Sequence, residues 1–313
     1  MSNMSDTCDL PKHHYIPVLY LKQWAVAGRF TEFSRPNGRD RVEPRGTGAR
    51  GTGYQRGLYR LMSPGIPEEL AEQVEKKFMR TVDNRAKDAL DLVLQNAHSK
   101  WTAKSRSDWS RFVNGLLFRV PERVASARKY LEDFWLKDYE RHRANYNAQK
   151  GEDDPEFLEH IVETVSREVL EFTMKQIDDK RIGNLLNRMR WRTIDVSSVA
   201  RPLFTSDRPV IMSNGLSYPN SHLLLPVSPT RLFLATNTQA MENQFLHVIP
   251  KRELVKMANK HVIRRAQKYV WNTNDDEVEF VRKHMSSEAH LDKVFWETRP
   301  NRNPQLNGSV SGA

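Results

Sequence analysis

Cysteine is almost missing from this chain: among 313 residues there is one, Cys8. A single thiol has no partner within the chain, so a disulfide framework is excluded and a reducing, cytosolic setting is expected. Long apolar runs are missing as well, and nothing approaches the roughly 20 residues that a membrane-spanning helix needs. The opening residues MSNMSDTCDLP carry acids and lack a basic segment leading into an apolar one, which argues against a secretory signal. Catalytic signatures are scarce too. There is no HExxH text or cysteine pair for zinc, no complete P-loop or dinucleotide fingerprint, and no glycine-flanked elbow around Ser206. Internal repeats are lacking. What remains is the expectation of a soluble, cytoplasmic protein with no membrane partner.

Charge is what the chain has in excess, and it is placed unevenly. Lysine and arginine outnumber aspartate and glutamate by 49 to 39, a net of +10. Residues 1–150 hold 27 cations against 18 anions (+9), while residues 151–313 hold 22 against 21 (+1). A field of this sign attracts polyanions, most often nucleic acid, by steering and by counterion release. Gly28–Arg60 concentrates seven of the chain's fourteen glycines with eight arginines. Glycine at that density breaks helices, so short strands and turns are expected, with Pro36-Asn37-Gly38 turning a hairpin. The centre, RGTGARGTG, reads as a mobile surface loop more readily than as a phosphate cradle, because it lacks the Lys-Ser/Thr ending.

Helical periodicity follows. Leu70, Val74, Phe78 and Val82 recur every four residues after the helix start at Pro67-Glu68-Glu69, and Trp109, Phe112, Val113, Leu116 and Leu117 form a second stripe. Pro121 should break that second helix. A long helix is expected from Val124 to Asn147 and another from Pro155, capped by Asp154, to Asn187. At Arg190 the pattern changes: WRTIDVSS, PLFTSD, PVIMS, HLLLPVS and RLFLATN are short, β-branched or aromatic, and separated by turn residues, so they read as strands of one sheet. The expectation is a helix-rich α+β protein with a small, mostly antiparallel sheet from residues 190–236 plus N-terminal strands. Its single domain would span 12–298, with helices over 66–189 and 250–292, between a disordered leader (1–11) and a disordered tail (299–313).

Three stretches taken in order resemble the motifs of a bacterial and fungal family catalogued as domain of unknown function 4238. They are His14-Tyr15-Ile16-Pro17 with Tyr20, Leu21 and Trp24; Phe204-Thr205-Ser206-Asp207-Arg208-Pro209-Val210; and Leu225-Pro226-Val227-Ser228-Pro229. Between them, Gly57-Leu58-Tyr59, the helix with Glu72 and Glu75, and Phe118-Arg119-Val120-Pro121-Glu122-Arg123 fall where such proteins have similar text, as do Asn259 and Ala266 near the end. The resemblance covers about residues 12–272 and implies one continuous domain, but no activity. Arg208 departs from it, since asparagine is commoner there.

The candidate site residues come from these stretches. His14 heads the apolar N-terminal cluster and could move protons; the alternative is that it is hydrogen-bonded in place. Asp207 could act as a base or ligand, or cap its own turn. Arg119, if buried, needs Glu72, Glu75 or Asp207 as a partner; if open to a cleft it would clamp phosphate. Glu156, His160 and Glu163 share a helix face that reads as solvated. The enzyme reading is a nuclease or related phosphodiester hydrolase with His14, Asp207, Glu75 and Arg119 catalytic. Arg45, Arg50, Arg56 and Ser206 would then bind substrate, with a divalent cation as the cofactor that fits. The alternative is a binding module for nucleic acid, nucleotide or protein in which the same residues are structural.

Overall fold

The computed structural model describes residues 10–36, 41–61, 67–213 and 215–285. Residues 1–9 of the leader, including Cys8, the tail, the Asn37-Gly38 turn and the last part of the final expected helix lie outside them. Ten strands form three antiparallel sheets among the described residues. β1 (Lys12–His14) pairs with β4 (Tyr54–Arg56). β2 (Phe30–Ser34), β3 (Glu43–Thr47), β6 (Thr205–Ser206) and β10 (Val270–Asn272) form a sheet in the order β3-β2-β10-β6. β5 (Arg190–Asp195), β7 (Ile211–Met212), β8 (His222–Ser228) and β9 (Arg231–Thr236) form the third, ordered β5-β9-β8-β7.

The helices are α1 (Val18–Leu21), α2 (Glu68–Ala71), α3 (Arg80–Leu94), α4 (Ala103–Phe118), α5 (Pro121–Lys137), α6 (Tyr139–Gln149), α7 (Phe157–Ile177), α8 (Lys180–Arg188), α9 (Gln239–Asn243), α10 (Lys251–Arg265) and α11 (Val278–His284). A π-helical turn over Val74–Met79 joins α2 to α3. None is long and apolar enough to cross a membrane.

The α+β class stands, and several boundaries differ from expectation. Thr102 caps α4, three residues before the first serine of SRSDW, and Ser105 answers it from the first turn in a capping box. Pro121 begins α5, where its missing N–H costs nothing. The long helix after it is two, α5 and α6, meeting at Asp138, whose backbone leaves the helical region. Asp179 ends the next helix early by capping α8 through the Arg181 and Ile182 amides. Glu156 precedes α7, while Asp154 instead accepts from the Gly151 amide.

The strands after Arg190 do not form one sheet. β6 pairs with β10, which itself pairs with β2, so it belongs with the N-terminal strands. The remaining sheet is buried on both faces, which explains the nearly unbroken apolar runs of β8 and β9. Leu223, Leu225, Phe233 and Ala235 meet the core of α3, α4 and α7, where Trp109 lies between Phe112 and Phe233. Leu224, Leu232 and Leu234 face Leu254, Val255, Ala258 and Val262 of α10. The N-terminal cluster joins the sheets: the Tyr20 hydroxyl donates to the Pro226 carbonyl at 2.6 Å and bonds Thr205 Oγ1 at 2.7 Å. Trp24 donates to the Leu203 carbonyl at 2.8 Å.

Candidate functional site

Alternation along β1 sends His13 and His14 to opposite faces. His13 is fully buried. Its Nδ1 accepts the Tyr59 amide at 2.8 Å, so Nε2 carries the proton and donates to Glu72 at 2.6 Å. Burial lowers its pKa, which keeps it neutral. Glu72 also receives Arg60 at 3.3 Å. His14 tilts against Tyr54, and burial drives its pKa down to about 4 against a hydrogen bond with the Arg50 backbone.

Arg119 closes the end of α4 and is 1% exposed. Its Nε donates to the Tyr15 carbonyl at 2.9 Å, and its Nη1 to Asp83 at 2.9 Å. Its own carbonyl accepts the Tyr59 hydroxyl at 2.6 Å. The partner is therefore Asp83, on the helix packed against α4, not Glu72 or Asp207. Glu75 lies in the π-helical turn, where burial raises its pKa to about 7 and the Arg119 charge opposes that rise. Both His14 and Glu75 feel the Arg119 charge. Each of the three keeps one buried polar atom without a protein partner: His14 Nε2, Glu75 Oε2 and Arg119 Nη2.

Asp207 stands apart from this group. Its Oδ1 accepts the Gln267 amide at 2.9 Å, and its Oδ2 accepts those of Lys268 and Tyr269 at 2.6 and 3.0 Å. Its own amide donates to the Tyr269 carbonyl at 3.0 Å. Burial lifts its pKa to about 6 against the pull of the three amides. The carboxylate thus staples the turn between α10 and β10, a turn about sixty residues away and not its own as expected. Ser206 is buried, and its hydroxyl accepts the Arg208 amide at 3.1 Å.

The glycine-rich segment is built into the fold rather than loose on its surface. Thr52 is buried and donates to Glu32, while Trp271 reaches Thr52 at 3.1 Å and Glu32 at 3.3 Å. Arg45 pairs with Glu32 at 2.8 Å, and Arg56 donates to the Leu10 carbonyl at 2.6 Å. Among the described residues no group of three or more His, Cys, Asp or Glu side chains is placed to hold a metal. His160 instead stacks on Tyr146, and Glu156 pairs with Lys150.

A small cleft of about 20 Å³ lies between α4, α5, α10 and the segment after β6. Leu116, Leu117, Val120 and Val210 line its apolar side; Arg123, Arg208 and Arg265 bring three guanidinium groups to it. Arg123 sits in the first turn of α5, whose amino end adds positive potential. Glu122 stands at one edge, 3.6 Å from Arg208. Two of these arginines fall within stretches already singled out, FRVPER and TSDRPV; Arg265 carried no local signal. Such a pocket favours an anion with some apolar body, since fork-shaped guanidinium groups match phosphate and carboxylate oxygens.

The chain belongs to the family described as protein of unknown function (DUF4238), whose model matches residues 12–276. No curated protein and no solved structure matches it.

Proposed function

We propose that this protein is a binding module for nucleic acid that leaves its ligand intact. The observation that carries the reading is the convergence of Arg123, Arg208 and Arg265 on one pocket. Three cations from distant segments, gathered at a small cleft with a buried apolar floor, suit the phosphate of a strand held at its mouth. The +9 balance of residues 1–150 supplies the longer-range attraction. The residues first considered for catalysis favour binding over hydrolysis, since Asp207 is saturated by amides and Arg119 is sealed. The test is fluorescence anisotropy with a labelled single-stranded 12-mer, RNA and DNA, for the wild type and for Arg265→Gln. Binding that weakens several-fold in the variant, with strands intact on a denaturing gel, supports the reading. Equal affinity in the two proteins contradicts it.

A second reading keeps phosphodiester hydrolysis. It is favoured by His14, Glu75 and Arg119, whose buried polar atoms lack protein partners and whose histidine and carboxyl are pushed to about 4 and about 7. Environments that separate acid from base in this way are a feature of catalytic sites. Here His14 would accept a proton, Glu75 would donate one and Arg119 would hold the developing charge. Strand cleavage abolished by both His14→Gln and Glu75→Gln, in folded proteins, would establish it; buried water joining the three groups is the structural alternative.

A further inference from the structure

A second hollow lies at the start of β5, away from the residues discussed so far. It has a volume of about 210 Å³, opens to solvent, and is lined by Trp101, Arg106, Met189, Arg190, Trp191 and Arg192. The Arg106 guanidinium lies 3.7 Å from the centre of the Trp191 ring, and its Nη2 donates to the Asn187 and Met189 carbonyls at 2.6 and 2.8 Å. Trp101 meets the same indole edge-on at 5.1 Å. Arg106 thereby closes the carboxyl end of α8, a structural reason for its position. That reason does not account for Trp101 and Arg190 facing the same space.

Cations outnumber anions there. Arg190 and Arg192 share one carboxylate, Glu242, at 2.5 and 2.8 Å, so three guanidinium groups stand against one acid. Arg190 gives Glu242 only its Nε; among the described residues its side chain has no other partner, and it is 40% exposed. The hollow therefore offers an aromatic face, a stacked guanidinium plane and a fork-shaped donor around one solvent-open space. Bases stack on indole rings and guanidinium planes alike, and phosphate oxygens fit the arginine fork.

We infer that this hollow is a separate binding site for the base and 5′-phosphate of a nucleotide, with Trp101 and Arg106 flanking the ring and Arg190 holding the phosphate. The ligand has two sources, a free mononucleotide or the 5′ end of a strand. Isothermal titration of the full chain with adenosine 5′-monophosphate, adenosine, inorganic phosphate and a 5′-phosphorylated oligothymidylate 12-mer tests the site and separates them. The mononucleotide should bind saturably and at least about tenfold more tightly than adenosine or phosphate alone. Arg190→Gln should bring its affinity down to that of adenosine, and Trp101→Leu down to that of phosphate. Arg265→Gln, in the other pocket, should leave it unchanged, so failure of the nucleic-acid reading and failure of this one are told apart. A 12-mer that binds more tightly than the mononucleotide, with the same response to Arg190→Gln, makes the strand end the source; the reverse order makes it the free nucleotide. If either variant does not fold, the wild-type ligand series decides. Absence of saturable mononucleotide binding, or mononucleotide binding no tighter than that of adenosine or phosphate, or binding unmoved by both substitutions in folded protein, overturns the inference.

Discussion

Asp207 and Arg208 are neighbours in the chain and belong to opposite kinds of environment. Asp207 turns inward, where three backbone amides satisfy its carboxylate; Arg208 lines a pocket with two more arginines drawn from other elements. Both are charged residues in a stretch of family-like text, and residue type alone does not distinguish them. The difference lies in where partners come from. The Asp207 carboxylate is met by backbone amides and holds a turn, whereas three guanidinium groups from separate elements gather at one cleft, the arrangement on which the proposed phosphate contact rests.

The strongest challenge to that contrast is Asp207→Ala. It strips acceptors from three amides in a buried turn, and a cost of roughly 3–5 kcal/mol in chemical denaturation is expected. A loss under about 1 kcal/mol would mean the staple is dispensable. Tyr20→Phe comes next. Removing a hydroxyl that bonds Thr205 and the Pro226 carbonyl should cost about 1–2 kcal/mol, measured the same way, and an unchanged midpoint would show that the sheets need no such clip.

The effects of pH have opposite signs for two buried groups. Glu75 titrates near 7 in the fold against 4.5 in the unfolded chain, so its stabilising contribution is complete below pH 4.5 and lost as pH rises through 7. His14, lowered to about 4 from 6.5, contributes fully above pH 6.5 and loses that contribution as pH falls through 4. Wild type should therefore lose ground to Glu75→Gln between pH 4.5 and 7 on the way up, and to His14→Gln between 6.5 and 4 on the way down. Parallel stability curves for wild type and both variants would mean neither group is perturbed by burial.

Much of the fold was legible in the sequence, and what escaped was non-local. The apolar stripes of α3 and α4 and the stop at Pro121 are written in local periodicity and proline chemistry. Continuous apolar runs in β8 and β9 fix strands but not their partners, and nothing near Thr205 indicates that β6 joins β10 and β2. β10 had a signal, the β-branched and aromatic text YVWN, which was absorbed into the expected α10 helix. Glycine density suggested a loose loop at RGTGARGTG, yet Thr52 and Glu32 bury it, because a side chain supplied by β2 decides the matter. The site was less legible than the fold: Arg123, Arg208 and Arg265 meet only after α4, α5, α10 and the segment after β6 have packed.

The central claim is that these three arginines engage phosphate, and the slope of affinity against salt tests it most directly. For a labelled oligothymidylate 12-mer, log affinity should fall linearly with log salt, and Arg123→Gln, Arg208→Gln and Arg265→Gln should each flatten the slope by about 0.7. Slopes identical to the wild type in all three folded variants would place the strand elsewhere and contradict the account.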